Sequence, residues 1–196
     1  MPRRNLQFLP DHYYHIYNRG AGQQSIYRKE GDYAHCLKTL KAVAGECNIV
    51  IIAYCLMPNH YHWLVRQVGE TSAGELPARV FKSYSQWFNL VHKRSGTLFE
   101  SRFKVRLVAT DEYLRHLCRY IHLNPVQAGF AAAPELWPYS NYQDWLGLRH
   151  ELAVDHAFIQ RFFTDPQHYK SFVLDFLTGK AKPPSALTAY FDTLWD

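Results

Sequence analysis

Two histidines on one strand, and a tyrosine and an asparagine one helical turn apart, are the residues here whose types and spacing could do chemistry. The segment Leu56-Met-Pro-Asn-His-Tyr-His-Trp-Leu-Val65 closes an apolar run in a Pro58-Asn59 turn and restarts with His60-Tyr61-His62. Alternate side chains of a strand share a face, so His60 and His62 project together while Tyr61 points away. Two imidazoles on one face can hold one metal ion. The pattern alone is weak: with 11 histidines in 196 residues, roughly one such pair arises by chance. Its weight comes from a second segment.

That segment is Thr110-Asp-Glu-Tyr-Leu-Arg-His-Leu-Cys-Arg-Tyr-Ile-His-Leu-Asn-Pro125. Thr110 suits an N-cap, and Asp111 and Glu112 suit the first turn, where the helix dipole favours acids. Leu114, Leu117, Cys118 and Ile121 make an apolar stripe at helical spacing. Tyr113, His116, Tyr120 and Asn124 lie beside it, with Tyr120 and Asn124 one turn apart on one face. Pro125 disfavours helical geometry at the preceding residue, so the helix is expected to end at Asn124. Alone, Tyr120 reads as a packing residue and Asn124 as a helix terminator. Joined to the histidines, they suggest phosphoryl transfer. A tyrosine hydroxyl can attack a phosphodiester and form a covalent phosphotyrosine. An ion held by two histidines and an amide oxygen keeps positions for water and a phosphate oxygen, and acts as a Lewis acid. Ligation by nitrogen and oxygen without thiolate suits Mg²⁺ or Mn²⁺, although imidazole also admits Zn²⁺.

The elements that must position these residues follow in order. Residues 13–18 read as an aromatic-rich strand, and residues 18–22 as a turn in which Arg19 could meet a phosphate. Residues 30–46 read as a helix with Tyr33, Leu37, Leu40 and Ala44 on one stripe. Residues 48–57 and 60–67 read as two strands of a hairpin, the first buried. Residues 76–93 read as a helix with Val80, Tyr84, Trp87 and Val91 inward, residues 103–108 as a fourth strand, and the tyrosine helix follows. The order β-α-β-β-α-β predicts an α+β, ferredoxin-like (RRM-like) antiparallel sheet with helices on one face and the other face available. Residues 156–163, 169–177 and 187–195 have helical spacing, and Lys182-Pro-Pro184 breaks the last stretch, giving a C-terminal helical appendage expected to serve packing.

At these residues the chain resembles the REP-associated and related single-tyrosine transposases of the HUH endonuclease superfamily. The resemblance is carried by His15-Ile-Tyr-Asn-Arg-Gly20, Leu56 to Val65, Gly96-Thr-Leu-Phe-Glu-Ser-Arg-Phe103, Arg119-Tyr-Ile-His-Leu-Asn-Pro-Val-Gln-Ala-Gly129 and Trp137-Pro-Tyr-Ser-Asn-Tyr142. It implies a transposase domain over residues 1–147 and a helical extension over residues 148–196. It implies that His60 and His62 are metal ligands and that Tyr120 is the nucleophile, which takes the 5′ side of a nick and leaves a 3′ hydroxyl. Asn124 falls where the family's third ligand falls. Tyr113 is the competing nucleophile, without an asparagine one turn on. The partner implied is single-stranded DNA with hairpin elements.

Charge agrees with such a partner. Within a net charge of +5, residues 1–110 carry 15 Lys/Arg against 7 Asp/Glu, and residues 111–196 carry 7 against 10. Lys93, Arg94, Arg102, Lys104 and Arg106 cluster around Gly96 with Phe99 and Phe103 among them, a mixture suited to phosphate neutralisation and base stacking. Cys36, Cys47, Cys55 and Cys118 lack C-x-x-C spacing and read as reduced, buried residues of a cytoplasmic protein. The apolar run before Pro58 is too short to span a membrane, and Met1-Pro-Arg-Arg lacks a signal-peptide core. Two rival readings share the scaffold: a non-catalytic single-strand binder working by stacking, and a replication or plasmid-transfer nickase, whose usual companion domains are not evident. Monomer and homodimer both remain open.

Overall fold

The computed structural model describes residues 6–151, 154–192 and 194; Met1–Arg4 and Trp195, used in the sequence reading, lie outside them. The elements are β1 (Tyr13–Arg19), α1 (Glu30–Glu46), β2 (Ile49–Met57), β3 (His60–Gln67), α2 (Glu75–Val91), β4 (Lys104–Val108), α3 (Asp111–Gln127), α4 (Tyr142–Trp145), α5 (His156–Phe162), α6 (Pro166–Leu177) and α7 (Ser185–Asp192). The four strands form one sheet in the order β2-β3-β1-β4, every neighbouring pair antiparallel. Met57 pairs with His60, so Pro58 and Asn59 are the two-residue loop of a hairpin.

Strand alternation sorts the side chains. Tyr14 and Ile16 of β1 and Tyr61, Trp63 and Val65 of β3 enter one apolar cluster with α1 and α2. On α2 the buried stripe is Leu76, Val80, Phe81, Tyr84 and Phe88; Trp87 only flanks the cluster, and Val91, expected inward, is 38% exposed at the helix end. The opposite face is not left open. Leu64 and Val108 pack there with Leu114, Leu117, Cys118 and Ile121 of α3, and with Phe158, Ile159, Tyr169 and Val173 from α5 and α6. The C-terminal helices therefore share an apolar cluster with α3. All four cysteines are free and buried.

Helix α3 starts as its sequence requires: the Thr110 side chain accepts a hydrogen bond from the Tyr113 amide. It does not stop at Asn124. It runs through Pro125 to Gln127, because a proline this near the C-terminus forfeits a single backbone hydrogen bond and its fixed φ is helical. The Ala128 amide donates to the Asn124 carbonyl and the Phe130 amide to the Pro125 carbonyl at 2.8 Å, and Gly129, at φ +75°, supplies the left-handed turn. Asn124 thus stays on the helix, on the same side as Tyr120.

The register of β2 shifts between Ile51 and Ala53, and Asn141 repairs the irregularity. Its side chain accepts from the Tyr54 amide at 2.8 Å and donates to the Ile52 carbonyl at 2.9 Å. His122 Nε2 lies 2.9 Å from the same amide oxygen, and His122 Nδ1 lies 2.6 Å from the Tyr169 hydroxyl. Asn141→Ala strands these buried groups and is expected to cost about 3 kcal/mol, read as a lower urea midpoint. Burial, partly opposed by the Asn141 hydrogen bond, holds His122 down to about 4. The unfolded chain then binds the extra proton first, so stability is full above the ordinary imidazole value. It falls by about 1.4 kcal/mol per pH unit between there and about 4. Urea unfolding at pH 7 and pH 5 should show that loss, to which the buried His15, His60 and His62 add in the same direction, and His122→Gln should remove only the share that belongs to His122.

Candidate active site

The face of the sheet under α3 carries three of the chain's eleven histidines, His15, His60 and His62. In the β1–β3 register His62 sits directly opposite Tyr17, and His15 opposite Leu64, so His15 and His62 are diagonal neighbours on one face. His15 and His62 are fully buried. His15 Nε2 lies 3.0 Å from His62 Nδ1, and His15 Nδ1 lies 2.9 Å from the Tyr190 hydroxyl of α7. His60, at the start of β3, has Nδ1 2.8 Å from Asn59 Oδ1 and Nε2 2.9 Å from Asn124 Oδ1. The His60 and His62 rings are 5.2 Å apart, edge to face.

The electrostatics keep these rings neutral. Burial lowers His15 to about 3 and His60 to about 4, the latter partly opposed by the Asn124 hydrogen bond, and holds His62 well below the ordinary imidazole value. A neutral imidazole has one N–H, yet both nitrogens of His60 face amide oxygens. The hydrogen bond to Asn124 belongs to the Nε2–H form; in the other tautomer, with Nδ1–H donated to Asn59, the Nε2 lone pair and the Asn124 oxygen are two electron-pair donors that one cation could share. They lie 2.9 Å apart, close enough for one ion to reach both. Among the described residues no three His, Cys, Asp or Glu side chains gather as a metal site. The two imidazoles and the Asn124 amide oxygen are donors of a chemistry that would fit a hard or borderline divalent ion.

Tyr120 reaches this cluster because the Leu114–Ile121 stripe seats α3 on the sheet. Its ring meets His62 edge to face at 5.4 Å, and Phe191 of α7 stacks on it at 4.2 Å with the planes 4° apart. Tyr113, two turns earlier, contacts Tyr190 at 5.4 Å. The structure therefore brings His60, His62, Asn124 and Tyr120 together, and sets Tyr113 against Tyr190.

The basic residues divide. Arg19 pairs with His60 across the strands, and its Nε donates to Glu100 at 3.1 Å. Lys104 and Arg106 stand on the site's face of β4, Lys104 Nζ 5.9 Å from the Tyr17 ring centre and the Arg106 guanidinium 4.1 Å from that of Tyr190. Arg102 is exposed in the loop before β4. Lys93 and Arg94 lie apart, just beyond α2 on the other side of the sheet, where Arg94 covers the Phe88 ring and donates to the Thr97 carbonyl. An open groove of about 530 Å³ runs from His60 past Arg19, Gln23 and Asn59 to Phe130.

The model of the IS200-like transposases matches residues 9–124, a span that takes in all four of these residues. The chain belongs to the IS200-like transposase family. A REP-associated tyrosine transposase of Haemophilus influenzae is 27% identical over 107 residues, 46% of this chain and 57% of the relative, so the chain spans little more than half of that relative's length. A solved structure of a REP-associated tyrosine transposase bound to a REP hairpin superposes with a TM-score of 0.61 at 17% identity, over 79% of this chain and 93% of the other. That likeness establishes the fold of this IS200-like transposase.

Sequence reasoning missed four residues at the site: His15, Tyr17, Tyr190 and Phe191. Alternation within β1 puts His15 and Tyr17 opposite the apolar Tyr14 and Ile16, a signal that was there to read. Tyr190 and Phe191 left none, because their place depends on the path of the C-terminal helices. None of the described helices is long and apolar enough to cross a membrane.

Proposed function

We propose that this IS200-like transposase is a metal-dependent single-strand DNA endonuclease and strand transferase, which cuts and rejoins DNA near hairpins through a phosphotyrosine at Tyr120. The observation that carries the reading is the convergence of the Tyr120 ring on His62 at 5.4 Å with the 2.9 Å approach of His60 Nε2 to Asn124 Oδ1. His60, His62 and Asn124 would hold a divalent ion, Mg²⁺ or Mn²⁺, which supplies Lewis-acid polarisation of the scissile phosphate.

The remaining work falls to the chain. The Tyr120 oxygen forms a bond to phosphorus while the bond from phosphorus to the 3′ oxygen breaks. The tyrosine loses its proton to solvent and the leaving oxygen gains one, giving a free 3′ hydroxyl and a 5′ phosphotyrosine. Attack by another 3′ hydroxyl reverses the step and joins the ends, so no outside energy source is needed. Helix α3 fixes the nucleophile relative to Asn124. Arg19, Lys104, Arg106 and Arg102 border the face that phosphates would approach, and the groove beside His60 continues that path. Lys93 and Arg94 would meet DNA only along a more distant stretch. A hairpin partner is suggested by the relative solved with one. Tyr120 meets the ligands of its own chain, which favours a site completed in cis in monomer or homodimer alike.

The test is incubation with labelled single-stranded DNA carrying hairpins from around the protein's own gene, with Mn²⁺ or Mg²⁺, followed by denaturing gels. The reading expects a covalent protein–DNA band that EDTA abolishes. Tight binding with no band on any hairpin would replace it with the non-catalytic binder.

A further inference from the structure

Tyr190, His15 and His62 form a row of hydrogen bonds, 2.9 Å from the Tyr190 hydroxyl to His15 Nδ1 and 3.0 Å from His15 Nε2 to His62 Nδ1. We propose that His15 is a positioning residue for the metal-ligand set: it accepts a hydrogen bond from His62 Nδ1–H and thereby keeps the lone pair of His62 on Nε2. The inference rests on the reading of His62 as a ligand and adds a role that neither the sequence motif nor the ligand set contains.

Each neutral ring carries one N–H and one acceptor nitrogen. The row can then run in only two directions. In the first, His62 Nδ1–H donates to His15 Nε2, and His15 Nδ1–H donates to the Tyr190 oxygen. In the second, the Tyr190 hydroxyl donates to His15 Nδ1, His15 Nε2–H donates to His62 Nδ1, and the His62 proton is forced onto Nε2. Only the first direction leaves His62 Nε2 able to ligate an ion. A ring that donates its other N–H to a fixed acceptor is held in tautomer and orientation, and becomes the more basic ligand. His15 is suited to be that acceptor. It is fully buried, its ring lies nearly parallel to that of His62 at 5.2 Å, and it is anchored on the far side by Tyr190. The second ligand has the same arrangement, since His60 Nδ1 lies 2.8 Å from Asn59 Oδ1. Each histidine of the pair thus has its Nδ1 on a protein partner.

Mn²⁺ titration of the metal-free protein without DNA, followed by the electron paramagnetic resonance of free Mn²⁺, tests this apart from any cleavage. His15→Phe keeps a ring of similar size but cannot accept, and should raise the half-saturating Mn²⁺ concentration by roughly 10- to 100-fold. His15→Gln can place an amide oxygen where Nε2 stood, and should recover most of the loss. A purely structural role would not be rescued in this way. Long-range ¹H–¹⁵N spectra of the metal-free wild type should show His62 protonated on Nδ1; finding the proton on Nε2 overturns the proposal even if His15→Phe does not fold. Wild-type Mn²⁺ affinity in His15→Phe, or a His15→Gln no better than His15→Phe, overturns it as well. His62→Ala separates the two layers: unchanged Mn²⁺ affinity there removes the ligand reading itself, whereas its loss beside an unaffected His15→Phe removes only the role of His15.

Discussion

Tyr120→Phe should eliminate the covalent protein–DNA band, a loss of at least about a thousandfold in the cleavage rate, with little change in folding or in DNA binding. Both halves follow from the packing. The phenylalanine ring keeps the stack on Phe191 and the edge contact with His62, so the surroundings of α3 are preserved, while the oxygen that would bond to phosphorus is gone. Tyr113→Phe is the matched comparison. Its ring lies against Tyr190, and Asn124 stands one turn from Tyr120 rather than from Tyr113, so the band should persist within a few-fold of wild type. Denaturing gels with labelled hairpin DNA and thermal melting of both variants are the measurements. A band that survives Tyr120→Phe and disappears in Tyr113→Phe would reverse the assignment. A band surviving both would move the nucleophile off this stripe of α3.

The parts of this site that were legible in the sequence are those fixed by short-range periodicity. The period of two in β3 put His60 and His62 on one face, and the period of 3.6 in α3 put Tyr120 and Asn124 on one side. The Pro58-Asn59 break gave the hairpin, and the element order gave the sheet. What was not legible depends on register and long-range path. His15 reaches His62 only because the β1–β3 pairing sets Tyr17, not His15, directly opposite it. Tyr190 and Phe191 arrive from α7, far along the chain, and no local pattern announces where a C-terminal helix will dock. The rule that a proline ends a helix at the residue before it failed at Asn124, because the lost hydrogen bond is a single one near a helix end that Gly129 and the Pro125 carbonyl otherwise complete. Grouping Lys93 and Arg94 with Lys104 and Arg106 failed for a different reason. They are close in sequence, but α2 and β4 carry them to different faces of the sheet.

His62→Ala is expected to weaken Mn²⁺ binding by more than about a hundredfold, since loss of an outer-sphere partner alone costs 10- to 100-fold, and to remove the covalent band at metal concentrations that saturate wild type. The ring is fully buried, so part of any loss could come from the cavity left behind. His60→Ala guards against that explanation. His60 is less buried and belongs to the open groove, so its removal disturbs packing less, yet it takes away the other imidazole and should have a similar effect on Mn²⁺. Asn124→Ala removes one amide oxygen, which water can replace, so excess Mn²⁺ should restore part of its activity. The graded order, with the two histidines severe and the asparagine partly rescued, is what a shared ion requires. If the three residues served only packing, melting temperatures would fall in proportion to burial and the Mn²⁺ dependence of whatever activity survived would not move. Combining His62→Ala with Tyr120→Phe should cost no more than Tyr120→Phe alone, because a nucleophile and the ion that prepares its target act as one unit. Additive losses in that double variant would mean that the histidines and the tyrosine serve separate steps.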